Sequence, residues 1–342
     1  MLLLKKILSV SVVLLAVSFH VEGQHPVIRF DNDRLNRKID VLVDGRLFTS
    51  LRYASDQEKP FLYPVCSPQG TVITRGYPLT PREGERIDHP HQIGIWFNYG
   101  DVNGLDFWNN SAAVRDKEKY GHIIVTDVAE PAGNTIEIRA EWRDYQENVL
   151  LEEKTMYVFE ATSNTRIIDH LSVLKAVRDV KFSDNKEGLI AVRTDRAFET
   201  PTNEMIRFIT PDGSPSEKKI QPDNTGVNGR YYSSEGHEGD EVWSTRNDWV
   251  LLTGEKEGEK ITFGFFDHPE NIGYPFHAHA RGYGLFAVNN LGAQSYNPKE
   301  EKMNVSLSKG DSIVFKHRFY LESGNEVTAK KANLIFKAFS GR

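Results

Sequence analysis

Cysteine is nearly absent: the 342-residue chain holds one, Cys66. A disulfide framework and a cysteine-rich zinc module are both excluded. An excess of basic charge is missing too. The formal net charge of -6 argues against the basic face that a nucleic-acid binder carries. No G-x-S-x-G elbow, Walker loop or H-E-x-x-H motif occurs, which removes the commonest hydrolase, nucleotide and zinc-protease signatures. Beyond the N-terminal segment there is no long apolar run. What is present is 39% hydrophobic and 26% charged residues, enough for a buried core and unlike a disordered chain. Five Trp, 13 Tyr and 19 Phe suit sandwich cores and sugar-stacking surfaces equally.

The first residues have the character of an export signal. Lys5 and Lys6 form a basic start, and Ile7 to Phe19 is an apolar stretch too short to span a bilayer. Val21 and Gly23 are small enough for the positions three and one before a cleavage point. The sequence therefore predicts a signal peptide over 1–23 and one domain over 24–342. The mature protein is expected in the periplasm or secreted, with no membrane insertion after signal removal. A retained N-terminal anchor is the alternative.

From there the hydrophobic period is two. Ile39, Val41 and Val43 alternate up to the hairpin signal Asp44-Gly45. Ile136, Ile138, Ala140 and Trp142 alternate with charged residues, and Ile313, Phe315, His317, Phe319 and Leu321 repeat the pattern. A helical period appears only at the end, where Val327, Leu334, Ile335, Ala338 and Phe339 share a face before Gly341. The expected fold is all-β, a large antiparallel β-sandwich with a short C-terminal helix. Residues 211–247 break the alternation. They are polar, with Tyr231, Tyr232 and Trp243 embedded, and read as an ordered loop over a site.

Several of the 11 histidines fall in two short blocks, Asp88-His89-Pro90-His91 and His277-Ala278-His279-Ala280-Arg281. In an extended chain, residues two apart point to the same side, so each His-x-His presents two imidazoles together. Such a pair can move protons or bind a metal. His317 lies in an apolar stripe and is expected to be a hydrogen-bonded core residue. His268, in Asp267-His268-Pro269, is a weaker candidate. Glu187 sits in a turn-like context, and Arg193 follows closely in sequence; burial or a charged neighbour would tune such a carboxylate as a base. Asp106 and Trp108, with Trp96 nearby, would give a hydroxyl-rich ligand hydrogen bonds and a flat apolar face. The same residues equally describe an Asx turn over a core tryptophan. Cys66 is expected to be a small buried hydrophobe rather than a nucleophile.

Longer blocks resemble a known bacterial family. They include Lys59-Pro60-Phe61-Leu62-Tyr63-Pro64-Val65, Asp88-His89-Pro90-His91, Gly104-Leu105-Asp106-Phe107-Trp108, Phe182-Ser183-Asp184-Asn185-Lys186-Glu187-Gly188 and His279-Ala280-Arg281-Gly282-Tyr283-Gly284. Together they are similar to the exported proteins labelled methane oxygenase PmoA-like, a domain of unknown function. The resemblance implies a galactose-mutarotase-like supersandwich and a place in polysaccharide breakdown, but transfers no catalytic roles. Many relatives carry a third imidazole where Gln92 stands here.

Two classes of function are expected from these residues. One is a carbohydrate-active enzyme, an epimerase, hydrolase or lyase, acting on a sugar or oligosaccharide. In it His91 or His279 is the acid and Glu187 the base. Arg281 clamps the substrate, Trp96 or Trp108 stacks on it, and His89, Asp106, Arg193 and His277 bind it. A variant places a divalent metal, Zn²⁺, Mn²⁺ or Fe²⁺, on His89, His91, His279 and Glu187. The other class is a non-catalytic glycan-binding protein.

Overall fold

Strand-type alternation along the chain builds two stacked antiparallel sheets in the computed structural model, which describes residues 26–341. The signal-like segment 1–23 lies outside the described residues. The first strands are β1 (Ile28–Asp33), β2 (Lys38–Val43), β3 (Arg46–Arg52), β4 (Phe61–Val65) and β5 (Ile95–Tyr99). A run of longer ones follows: β6 (His122–Val128), β7 (Thr135–Arg143), β8 (Val149–Ala161) and β9 (Thr165–Ala176). Next come β10 (Val180–Phe182), β11 (Gly188–Arg193), β12 (Arg230–Ser233), β13 (Arg246–Asn247), β14 (Trp249–Lys256) and β15 (Glu259–Asp267). The last are β16 (Phe276–Ala280), β17 (Leu285–Asn289), β18 (Val305–Leu307) and β19 (Ser312–Ser323), with helices α1 (Ala293–Tyr296) and α2 (Ala329–Ser340).

One large sheet has nine strands in the order β1-β2-β3-β4-β5-β11-β17-β16-β13, the other has eight in the order β12-β14-β15-β19-β9-β8-β7-β6, and β10 pairs with β18 in a separate two-stranded sheet. Their facing sides share one hydrophobic core. Phe97, Ile190, Val288 and Ala278 enter it from the first sheet, and Trp142, Phe159, Phe315 and Phe319 from the second. Each large apolar side chain buried there contributes about 1.5–3 kcal/mol. The all-β sandwich and its C-terminal helix agree with the sequence expectation.

Alternation puts the neighbours of those core residues on the opposite face of the first sheet. Register aligns Trp96 with Ala191, Ala191 with Ala287 and Ala287 with His279, one row across four strands. His277 pairs with Asn289 and with Arg246 at the sheet's end. This outer face carries the candidate chemistry.

Helix α2 packs on the outer face of the second sheet, where Ala332 and Phe336 join Trp249, Phe266 and Tyr320. Thr328 caps it through Lys331 N, and Gly341 ends it at φ 70°. Leu334, expected on the packed face, is instead exposed. Among the described residues no helix is long and apolar enough to cross a membrane.

Candidate active site

Glu187 is held at the mouth of β11 by a firmly anchored turn. The Asp184 carboxylate accepts the backbone N–H groups of Gln294, Ser295 and Met303, each at 2.8 Å. The Tyr99 hydroxyl accepts Asn185 N at 3.0 Å, and Asn289 Nδ2 donates to Asn185 O at 2.9 Å. Gly100 lets the turn approach β5 closely, because a Cβ there would lie 2.7 Å from Glu187 Cβ. Burial raises the proton affinity of Glu187, and the nearby Lys186 ammonium offsets part of that effect. The fields of Asp106 and His89 also reach this carboxyl.

Lys186, one residue earlier, fixes His279. The Lys186 carbonyl lies 3.2 Å from His279 Nδ1 and accepts the Tyr296 hydroxyl at 2.6 Å. A carbonyl can only accept, so Nδ1 carries the proton and Nε2 presents a lone pair. Burial first, then Lys186 and Arg281, lower the His279 pKa to about 3. The ring is therefore neutral at physiological pH, an acceptor and not the acid expected from sequence. His277 lies flat on Tyr296, centroids 5.0 Å apart, with Nδ1 3.1 Å from Ser244 O and Nε2 3.5 Å from Glu300. It is 2% exposed and so braces Tyr296 rather than meeting a ligand.

The Asp88–Gln92 turn faces this group from the other side. Two buried guanidiniums, Arg75 and Arg193, converge on Asp88 Oδ1. Burial alone would raise the Asp88 pKa; Arg193, His89 and Arg75 outweigh it and hold the carboxyl well below the usual range. Arg75 also donates to the carbonyls of His89 (2.9 Å) and Gln92 (3.2 Å), while Arg193 reaches Gln92 Oε1. Clamped in this way, His89 adopts φ 42°, an uncommon conformation for a residue with a Cβ. Its ring stacks on Tyr283 at 5.3 Å, with Nδ1 3.4 Å from Asp88. At 42% side-chain exposure it is the open imidazole of the two blocks.

Arg281, Tyr283 and Trp243 complete the arrangement. They line a cleft of about 350 Å³ together with Thr200 and Asp240. The Arg281 guanidinium lies 4.7 Å from the Trp243 ring and 5.9 Å from Tyr283, and Trp243 touches His279 edge-on at 4.7 Å. Contacts thus run unbroken from His89 through Tyr283, Arg281 and Trp243 to His279. The two histidine blocks meet on one face of the molecule.

Further expectations need correction. His91, proposed as an acid, is buried behind the His89 ring, which it meets edge-on; burial, then Lys59 and His89, lower its pKa to about 2. Trp96 and Trp108, proposed as stacking platforms, are 2% and 0% exposed and pack on each other, so neither offers a face to a sugar. Arg193 is fully buried and positions Asp88 and Gln92 instead of binding substrate. Asp106 accepts Asn109 N and Nδ2, the Asx turn that was the competing reading. His89, Arg281 and His279 are linked through Tyr283 and Trp243, and Glu187 lies within electrostatic reach of His89. The metal variant does not fit: among the described residues no three His, Cys, Asp or Glu side chains gather closely enough to hold an ion.

Cys66 is buried, and burial lifts its thiol to about 11, which suits a packing role. His317 is a core residue bonded to Asn290 at 2.9 Å. Sequence reasoning placed Trp243 only in a site-covering loop and did not nominate Tyr283, Asp88 or Tyr296 for the site. The signals were present in the polar loop around Trp243 and in the Arg281-Gly282-Tyr283-Gly284 block.

Comparison with known proteins gives distant likenesses. A GH36 α-galactosidase, AgaB, from Geobacillus stearothermophilus is similar over 87% of this chain, with a TM-score of 0.41 and 8% identity; this chain spans 41% of its length. A putative aldose 1-epimerase from Escherichia coli K12 is similar over 87% of this chain and 99% of its own, with a TM-score of 0.31 and 9% identity. A galactose mutarotase-like protein from Clostridium acetobutylicum covers 88% of this chain and 100% of its own, with a TM-score of 0.31 and 10% identity. Likenesses this remote do not speak to activity. No curated protein matches the chain. The DUF6807 model matches residues 38–337, and the chain belongs to that family of unknown function.

Proposed function

We propose that the protein is an exported carbohydrate-active enzyme that works by general acid–base chemistry on the outer face of the nine-stranded sheet. The observation that carries this reading is the run of contacts from His89 through Tyr283, Arg281 and Trp243 to His279 along the Trp243–Arg281 cleft, with Glu187 within electrostatic reach of His89. A sugar needs donors and acceptors for its hydroxyls and an aromatic surface for its C–H face. Arg281 and Asp240 supply the first and Trp243 the second.

In this reading Glu187 takes a proton from a sugar hydroxyl or carbon, its raised proton affinity matching that task. His89, open to solvent and paired with Asp88, returns a proton to the ring or glycosidic oxygen. His279 accepts a substrate hydroxyl at Nε2. Epimerisation, hydrolysis and elimination share these parts. The export signal, the PmoA-like resemblance and the supersandwich assignment belong to the same proposal.

The test is a screen of the purified protein against plant and algal oligosaccharides for changes in mass, reducing ends or anomeric ratio. Glu187→Gln and His89→Asn serve as controls. Turnover that drops about 10²-fold or more in either variant supports the roles. Binding without product after long incubation favours a glycan-binding module instead.

A further inference from the structure

Behind the Asp88–Gln92 turn lies a second cavity, of about 340 Å³, that the proposed chemistry does not use. Its walls are largely apolar, with Phe61, Tyr77, Pro90 and Ile93 among them, yet they include Lys59 and His91. Lys59 is 4% exposed. Its ammonium donates to His91 O at 2.8 Å and lies 5.8 Å from the Trp96 ring centre. Among the described residues no carboxylate forms an ion pair with it. The adjacent Glu58 is already committed, accepting Lys117 Nζ at 2.7 Å and Asn110 Nδ2 at 3.0 Å. His91 is 7% exposed, and its Nε2 is buried with no hydrogen-bond partner.

A buried ammonium without a counter-ion is costly, as is a buried ring nitrogen without a partner. Both occur on the wall of one cavity, which points to a ligand that completes them. The backbone supports this view, since Glu58 (φ 30°) and His89 (φ 42°) hold left-handed conformations on either side of it. The cavity also shares a wall with the proposed active site, for His91 and His89 meet edge-to-face at 5.6 Å.

We propose that this cavity is a subsite for a carboxylate-bearing sugar residue, a uronate, with Lys59 as its counter-ion. The inference takes its sugar ring from the carbohydrate reading above but needs none of the acid–base roles. The carboxylate pairs with Lys59, a hydroxyl bonds His91, and the C–H face of the ring lies against the apolar wall. Burial leaves the Lys59 pKa at about 7, with Glu58 and Asp106 raising it and Lys117 lowering it; Glu58, Tyr77 and His91 are the other titratable groups on this wall. A bound carboxylate would draw a proton onto Lys59.

Calorimetric titration of the full chain with sodium glucuronate, galacturonate and trigalacturonate, against glucose and galactose, tests the proposal. At least one acid should bind about tenfold or more tightly than its neutral parent, and Lys59→Met should remove that preference. Binding of the monomers marks a free uronic acid as sufficient, and binding of the trimer alone marks a polymer residue; either supports the subsite. With the wild-type protein, where no folding defect can intervene, binding at about pH 8 should take up more proton than at about pH 6. Equal affinity for acids and neutral sugars overturns the proposal, as does absence of acid binding, a preference that survives in Lys59→Met, or no proton uptake. If that happens while Glu187→Gln still abolishes turnover, the uronate inference falls and the acid–base reading stands. Selective uronate binding with turnover unaffected by Glu187→Gln gives the reverse.

Discussion

The carbonyl of Lys186 receives His279 Nδ1 at 3.2 Å, so the residue that orients the imidazole is the chain neighbour of Glu187. The Glu187 carboxyl and the carbonyl that supports the His279 ring therefore belong to one anchored turn. Tyr296→Phe removes the second donor to that carbonyl, a 2.6 Å bond. It should cost about 1 kcal/mol in urea unfolding. The accompanying fall in kcat should be smaller than that of His279→Ala.

Glu187→Gln keeps the shape of the side chain and removes its charge. Because the folded-state pKa is raised, ionisation of Glu187 is destabilising at neutral pH, and the penalty fades as pH falls through the folded pKa. The variant should melt at or above the wild-type temperature at pH 7, while turnover falls about 10²–10⁴-fold. Thermal melts and rate assays on one preparation separate the two effects.

Asp88 neutralises two guanidiniums that are 1% and 0% exposed. Asp88→Asn leaves a surplus of buried positive charge and should destabilise by about 3–5 kcal/mol. The wild-type contribution of Asp88 follows from a depressed pKa. It is present above the ordinary aspartate value and is lost as pH falls toward the folded value. Acid unfolding of the wild type should accordingly be steeper than that of the variant.

Lys59 is a penalty where Asp88 is a gain, though both contributions grow more favourable as pH rises. Its pKa of about 7, against 10.5 for a free lysine, penalises the folded state fully below pH 7 and progressively less up to about 10.5. The Lys59 share of stability thus rises with pH across that window, by at most roughly 5 kcal/mol. The difference in unfolding free energy between wild type and Lys59→Met, followed from pH 7 to about 10, should shrink or reverse accordingly.

Trp243→Ala should raise KM about tenfold by removing a cleft wall, with little loss of stability. Trp108→Ala should do the opposite, since that indole is wholly buried. A melting curve distinguishes them before any substrate is known.

The period-two pattern made the sandwich legible, and the His-x-His spacing correctly placed His277 and His279 on one face of a strand. It failed for His89 and His91 because His89 takes φ 42° in a turn, so its ring is open to solvent while the His91 ring stays buried against it. Tryptophan beside polar residues does not reveal burial. Trp96 pairs with Ala191, next to Ala287, and small partners leave room to bury it in the sheet's outer cluster. The placing of Trp243 and Tyr283 on either side of Arg281 was out of reach for a related reason. Their position depends on chain crossings between β12 and β17, which no local pattern records.

The two alanines in that row have a wider consequence. Ala191 and Ala287 are fully buried under the cluster on which Tyr283 packs, and Tyr283 in turn carries the His89 ring. A leucine at either position would act as a shim beneath the imidazole, tilting it while leaving every titrating group in the chain. Such a disarmed scaffold would be a means of trapping an intact ligand for crystallography.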